Sequence, residues 1–190
     1  ISSYGHPAVS PDGNWLYFTS DMPGGSGGKD IWRINLKEKG GSLENLGEWI
    51  NTPGDEMFPY VRTDSILYFS SNGRSGYGGL DIYKAELTKS GGWNVTNMGV
   101  PVNSSADDFG ITFGDGEFGF FSSNRGDARG YDHIYSFELP DLKIQISGWV
   151  LDKDEEPIPN AVIRIIGNDG SNQKQIAKND GSFSFPLNRG

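Results

Sequence analysis

His6-Pro7-Ala8-Val9-Ser10-Pro11-Asp12-Gly13-Asn14-Trp15-Leu16-Tyr17-Phe18-Thr19-Ser20-Asp21 returns twice further along the chain. The second copy is Phe58-Pro59-Tyr60-Val61-Arg62-Thr63-Asp64-Ser65-Ile66-Leu67-Tyr68-Phe69-Ser70-Ser71-Asn72, one residue shorter at its turn. The third is Phe109-Gly110-Ile111-Thr112-Phe113-Gly114-Asp115-Gly116-Glu117-Phe118-Gly119-Phe120-Phe121-Ser122-Ser123-Asn124. A second echo follows each: Gly28-Lys29-Asp30-Ile31-Trp32, Gly79-Leu80-Asp81-Ile82-Tyr83 and Tyr131-Asp132-His133-Ile134-Tyr135. Phe18, Phe69 and Phe121 stand 51 and 52 positions apart, a spacing that marks a repeat architecture.

Each copy is expected to hold four strands. The first, Ala8 to Ser10, is short and ends in a Pro-Asp-Gly turn. The second, Trp15 to Ser20, is apolar enough to be buried on both faces. A Gly-rich loop, read as flexible, leads to the third, Asp30 to Asn35. The fourth is weaker, around Leu43 to Leu46 and Trp93 to Met98. Four antiparallel strands per repeat is the arithmetic of a propeller blade. The third copy has no fourth strand of its own, because after Ile134 to Leu139 the chain turns at Pro140-Asp141. Three blades do not close a ring, since propellers have roughly four to eight. The missing blades and a closing strand are therefore expected upstream of Ile1. A six-bladed ring from two copies is the alternative.

Ser-Pro-Asp-Gly before an aromatic strand, then Ser-Ser-Asn-Arg-Gly and an Asp-Ile-Tyr strand, resembles the TolB-type, WD40-like propeller repeat over roughly the first 140 residues. Repeat two lacks the turn glycine, and repeat three has Gly114 for proline and His133 for aspartate.

From Ile144 the pattern changes. Ile144 to Val150 and Ala161 to Ile165 alternate like strands around the charged loop Asp152 to Asn160, and Asn179-Asp180-Gly181 is a hairpin turn before Ser182 to Phe185. Ser147-Gly148-Trp149-Val150, Pro157-Ile158-Pro159-Asn160-Ala161 and Asn179-Asp180-Gly181-Ser182-Phe183 resemble the carboxypeptidase regulatory-like β-sandwich. That segment is too short to bury enough apolar surface alone, so strands beyond Gly190 are expected. The fold class expected is all-β: the C-terminal three blades of a propeller over 1–140, then the N-terminal part of a β-sandwich over 141–190.

Composition narrows the function classes. The chain has 190 residues, 28 of them glycine, and 13% aromatic side chains, which suits many short strands. With 25 acidic against 16 basic residues, the net charge of −9 argues against a nucleic-acid partner. No cysteine is present, which excludes disulfides, thiolate metal sites and a cysteine nucleophile. No apolar run approaches the ~18 residues that span a bilayer.

Catalytic and cofactor motifs are not expected, and the chain reads as non-enzymatic and without a cofactor. Gly24-Gly25-Ser26-Gly27-Gly28-Lys29 has Pro23 and Asp30 where a phosphate loop needs glycine and a hydroxyl. His6 aligns with Phe58 and Phe109 and reads as packing, and His133 as a strand-end hydrogen bond. Asp152, Asp154, Glu155 and Glu156 lack the glycine and spacing of a calcium loop and read as solvated.

One constellation stands out. In an up-and-down blade, the loops between blades and those between strands two and three emerge at the same end. That end is expected to collect Asp55, Glu56, Asp107 and Asp108 with Arg74, Tyr77, Arg125, Arg129 and Tyr131. Arginine and tyrosine are favoured at interface hot spots. Two readings stay open there: a partner-binding face, or arginines paired with carboxylates to tie blades together.

The order of the two modules is similar to that of periplasmic OmpA-family proteins of the Bacteroidetes, which include a component of the type IX secretion machinery. The resemblance implies a periplasmic, outer-membrane-associated scaffold with envelope proteins as partners, peptidoglycan being held through a domain not in this chain. Prolyl-oligopeptidase-type peptidases, whose similar propellers gate a separate hydrolase domain, are the alternative. A glycan-binding module using the aromatic loops is a third.

Overall fold

The structure, a computed structural model, describes residues 1–139, 144–167 and 172–187. The chain divides into two compact units, Ile1–Leu139 and Pro140–Gly190. Among the described residues all regular elements are strands, and the architecture is a partial propeller followed by a partial sandwich.

The first unit holds three antiparallel meanders. Blade one is β1 (Tyr4–Val9), β2 (Trp15–Ser20), β3 (Asp30–Asn35) and β4 (Leu43–Asn45), in that spatial order. Blade two repeats it with β5 (Glu56–Thr63), β6 (Ile66–Ser71), β7 (Asp81–Leu87) and β8 (Trp93–Asn97). Blade three has β9 (Asp108–Phe113), β10 (Phe118–Ser123) and β11 (His133–Glu138), and among the described residues no fourth strand pairs with β11. The short second strands match the aromatic runs residue for residue, because β-branched and aromatic side chains suit a pleated, packed surface.

The first strands are longer than Ala8 to Ser10 suggests. Each carries a β-bulge in which two residues oppose one: His6-Pro7 face Phe18, Phe58-Pro59 face Phe69, and Gly110-Ile111 face Phe121. The first bulge residue is left-handed in all three blades, with φ of 50° at His6, 53° at Phe58 and 66° at Gly110. The structural partner of His6 and Phe58 is therefore Gly110, not Phe109. Phe109 sits one position earlier, yet its ring still meets the others. Ring centroids lie 3.9 Å apart for His6 and Phe58, and 4.8 Å for Phe58 and Phe109. The packing role of His6 is thus a stack along β1, β5 and β9, where β5 lies between the other two.

Burial follows position in the stack of blades. Residues Leu67 to Ser71 of β6 are buried on both faces, but in β2 Trp15, Leu16 and Phe18 are only half-buried. The reason is that the middle blade has a neighbour on each side. One apolar core joins Tyr17 and Ile31 to Ile50, Val61, Phe69 and Tyr83, and a second joins Tyr68 and Ile82 to Val102, Ile111 and Phe121. Fully burying each such side chain contributes about 1.5–3 kcal/mol.

In the second unit β12 (Ile144–Trp149) pairs with β15 (Ser182–Leu187), and β13 (Val162–Ile166) with β14 (Asn172–Ile176). Gly181, at φ 73°, closes the turn before β15. β14 carries no apolar alternation in its Asn-Gln-Lys-Gln sequence, and partnership with β13 alone makes it a strand. Ala177 and Phe185 are buried, while Trp149, Val162 and Ile166 are exposed.

Candidate interaction face

Two loops meet at each junction between blades. One is the inter-blade loop, which starts at the end of a fourth strand and leads into the next blade. The other joins strands two and three. Their joining is direct: the Gly28 N–H donates to the Gly54 carbonyl at 2.9 Å, and the Gly79 N–H to the Ala106 carbonyl at 3.3 Å. The Gly-rich segment 24–29 is therefore docked instead of free. A Cβ on Gly27 would fall 2.3 Å from the Pro53 backbone, so only glycine permits this approach. The loop also turns an amide inward. The Ser26 N–H donates to Asp30 Oδ2 at 2.5 Å, so the chain's own carboxylate occupies the place a phosphate would need.

At each junction an asparagine grips the outer edge of the preceding blade. Asn51 Oδ1 accepts from the Ile31 N–H at 2.8 Å, and its Nδ2 donates to the Ile31 carbonyl at 3.0 Å and to Asn45 Oδ1 at 2.9 Å. Asn103 does the same to Ile82 and Asn97, all at 2.8 Å. The carboxamide continues the strand pairing where β4 and β8 stop, and both backbone groups of a buried isoleucine are satisfied. A sequence signal exists for this grip: Asn45-Leu46-Gly47-Glu48-Trp49-Ile50-Asn51-Thr52 and Asn97-Met98-Gly99-Val100-Pro101-Val102-Asn103-Ser104 share Asn-x-Gly-x-x-Ile/Val-Asn-Thr/Ser.

The carboxylates of the expected face divide into two kinds. Glu56 and Asp108 are completely buried, so as folded they are out of reach of a partner. Glu56 accepts from the Thr52 N–H at 2.7 Å and from the Thr52 and Ser71 hydroxyls at 2.6 Å. Asp108 accepts from the Ser104 N–H at 2.6 Å and pairs with Arg125 at 2.5 Å. Asp55 and Asp107 are half-buried and bridge loops: Asp55 Oδ1 accepts from the Lys29 N–H, and Asp107 Oδ1 from the Leu80 N–H, both at 2.8 Å.

The arginines divide likewise. Arg74 Nη2 donates to the carbonyls of Trp49 at 2.6 Å and Ile50 at 3.0 Å. Arg125 donates to the carbonyls of Pro101, at 2.7 Å, and Val102. The two reach equivalent carbonyls although the sequence order is Asn-Gly-Arg in one and Asn-Arg-Gly in the other. Each guanidinium also lies over two rings, Phe69 and Tyr83 at 5.8 Å for Arg74, and Phe121 and Tyr135 at 4.9 and 5.2 Å for Arg125.

What is left outward is Tyr77, 55% exposed, Tyr131, 60% exposed, and Arg129, whose guanidinium stacks 4.8 Å over the Tyr131 ring. Trp49 and Val100, from the inter-blade loops, are exposed too, and no reading of the sequence singled them out. In blade three the strand-entry aspartate of the other blades is replaced by His133, whose Nε2 meets Asp127 Oδ2 at 2.9 Å. Hydrogen bonds from the Arg129 side chain and from His133 hold the Asp127 carboxyl down to about 2. In the charged loop of the second unit, Asp152 Oδ1 accepts from the Asp154 and Glu156 N–H groups at 2.8 and 3.0 Å.

No family model matches the chain, and no curated protein does. Among solved structures, a prolyl oligopeptidase B from Galerina marginata bound to a 25mer macrocyclization substrate matches with TM-score 0.51 and 17% identity, over 77% of this chain and 20% of that one. A second structure of that protein, bound to a 35mer hydrolysis and macrocyclization substrate, matches with TM-score 0.50 and 13% identity, over 91% of this chain and 30% of that one. The likeness shows the fold. These three sheets are propeller blades. The chain spans less than a third of either peptidase, and at this identity the likeness extends no further than architecture.

Proposed function

We propose that this chain is a non-catalytic protein-binding segment of a periplasmic, outer-membrane-associated scaffold of the OmpA family, working in the type IX secretion machinery. The observation that carries the reading is the division of the loop end. Its carboxylates and two of its arginines are engaged within the chain, while Tyr77, Tyr131 and Arg129 face outward on blades that cannot easily yield. Aromatic rings and a stacked guanidinium on a rigid base are what a protein partner uses as anchors. Carboxylates held by their own amides and hydroxyls are poorly placed to move protons for a substrate.

The test is affinity purification of the protein from its native envelope, followed by mass spectrometry, with Tyr77→Ala, Arg129→Ala and Tyr131→Ala in parallel. Recovery of outer-membrane or secretion subunits, lost in these variants with the fold intact, supports the scaffold. The likeness to prolyl oligopeptidase B favours a second reading, a propeller module that gates a peptidase. Peptide hydrolysis in the purified fraction, with no envelope partner, supports that one. Retention on a glycan column that the tyrosine variants abolish points instead to a glycan-binding module.

A further inference from the structure

The three blades present equivalent positions to different neighbours, and the difference exposes a surface made to be covered. Ile31 and Ile82 are completely buried by the blade that follows each of them, and Ile134, at the same position in blade three, is 78% exposed. Tyr17 and Tyr68 are buried in the same way, and their equivalent Phe120 is 44% exposed. Phe118, matching Trp15 and Ile66, is 42% exposed and meets Phe120 edge to face at 5.0 Å. Phe118, Phe120 and Ile134 thus form one apolar face beside an outer edge of β11 that no described strand pairs.

We propose that this face and edge are a docking site for a polypeptide segment, from outside these 190 residues, that carries the pattern Asn-x-Gly-x-x-Ile/Val-Asn-Ser/Thr. Both filled junctions show what such a segment supplies. A short fourth strand pairs with the outer edge, the first asparagine caps the second, and the second grips the isoleucine backbone. The apolar residue before it, Ile50 or Val102, enters the core beside that isoleucine. The chain contains this pattern twice, at 45–52 and 97–104, and both copies are engaged on blades one and two. A second copy of the chain therefore has no unengaged pattern to offer, and the occupant is a different segment. The inference rests on the blades alone and does not depend on the scaffold reading.

The test uses the 190-residue chain and a synthetic peptide copying Trp93 to Asp108, with amide exchange and chemical shifts at Ile134 as the readout. The expected result is that the peptide slows exchange of the Ile134 amide and shifts Phe118 and Phe120. A peptide with Asn97→Ala and Asn103→Ala is expected to bind at least about tenfold more weakly, since it loses the hydrogen bonds to the strand edge. Ile134→Glu in the chain is expected to abolish binding while leaving thermal unfolding unchanged, its side chain being mostly in solvent. Unchanged Ile134 exchange with the parent peptide, or equal binding of the double-alanine peptide, overturns the proposal. So does concentration-dependent protection of Ile134 without peptide, which makes a second copy the occupant.

Discussion

Asn103 holds both backbone groups of Ile82, accepting its N–H and donating to its carbonyl, each at 2.8 Å. Both residues are buried, so no water stands ready to replace the carboxamide. Asn103→Ala is expected to destabilise the propeller unit by about 1–3 kcal/mol, because the buried Ile82 N–H loses its partner while the Ile82 carbonyl keeps the Met98 N–H. Asn103→Asp restores the acceptor but not the donor and is expected to fall between. Urea unfolding followed by tryptophan fluorescence measures both. A loss below 1 kcal/mol on Asn103→Ala, taken as roughly one ordinary hydrogen bond, contradicts the grip.

Arg125 and Arg74 make the same carbonyl contacts, but only Arg125 also pairs with a buried carboxylate at 2.5 Å. Arg125→Ala leaves the buried Asp108 without an opposite charge, held only by the Ser104 N–H and hydroxyl, and is expected to cost about 3–5 kcal/mol. Arg125→Lys keeps the charge and loses the planar fork, at about 1–3 kcal/mol. Arg74→Ala is expected to cost less than Arg125→Ala. Calorimetric unfolding of the three variants checks the order. The reverse order would mean that the carboxylate is neutralised from elsewhere.

Gly110 takes the left-handed bulge position with nothing near its missing Cβ. Gly110→Ala therefore isolates backbone strain from steric clash, and about 1–2 kcal/mol is the expected loss. Thermal unfolding reads it directly, and an unchanged midpoint sinks the assignment of strain to this position.

His6 stacks on Phe58, and burial, aided by the charge of Lys29, pushes its pKa below the ordinary 6.5. The unfolded chain thus binds a proton at a higher pH than the folded one. The stability that His6 contributes is whole above 6.5 and declines as the pH falls through the lowered value. Urea midpoints measured from alkaline to mildly acidic pH are expected to fall below that point. His6→Phe, which copies blade two, is expected to flatten this part of the profile. A slope that survives the substitution assigns the effect to another group.

Much of the architecture was legible because the repeat writes it three times. The aromatic second strands and the Asp-Ile-Tyr third strands lie where their side chains demand, at Trp15–Ser20, Asp30–Asn35 and their copies. The bulge was not legible, since opposing two residues to one leaves no mark in composition. Aligning rings put Phe109 where the backbone puts Gly110. Topology alone located the loop end, but not which of its side chains are exposed. Glu56 and Asp108 look like solvent residues by type, and are buried because a hydroxyl and an amide four positions earlier turn back to meet each of them. The asparagine grip was in plain view as a spaced pattern and escaped notice because each asparagine, taken singly, reads as a turn residue.

The grip also sets where one blade can be exchanged for another. Because Asn51 secures blade one from the linker that opens blade two, the unit that travels intact does not run from sheet to sheet. It runs from Asn45 to Asn97, each of which receives a hydrogen bond from the second asparagine of its own motif. A deletion joining Asn45 to Met98 would hand Ile31 to Asn103 and leave no orphaned clasp, whereas removing the sheet alone, Glu56 to Asn97, would leave Asn103 with no isoleucine to hold. Gain or loss of blades in such a chain is thus easiest in a frame offset from the visible sheets, as a dovetail joint comes apart along its pins and not along the face of the board.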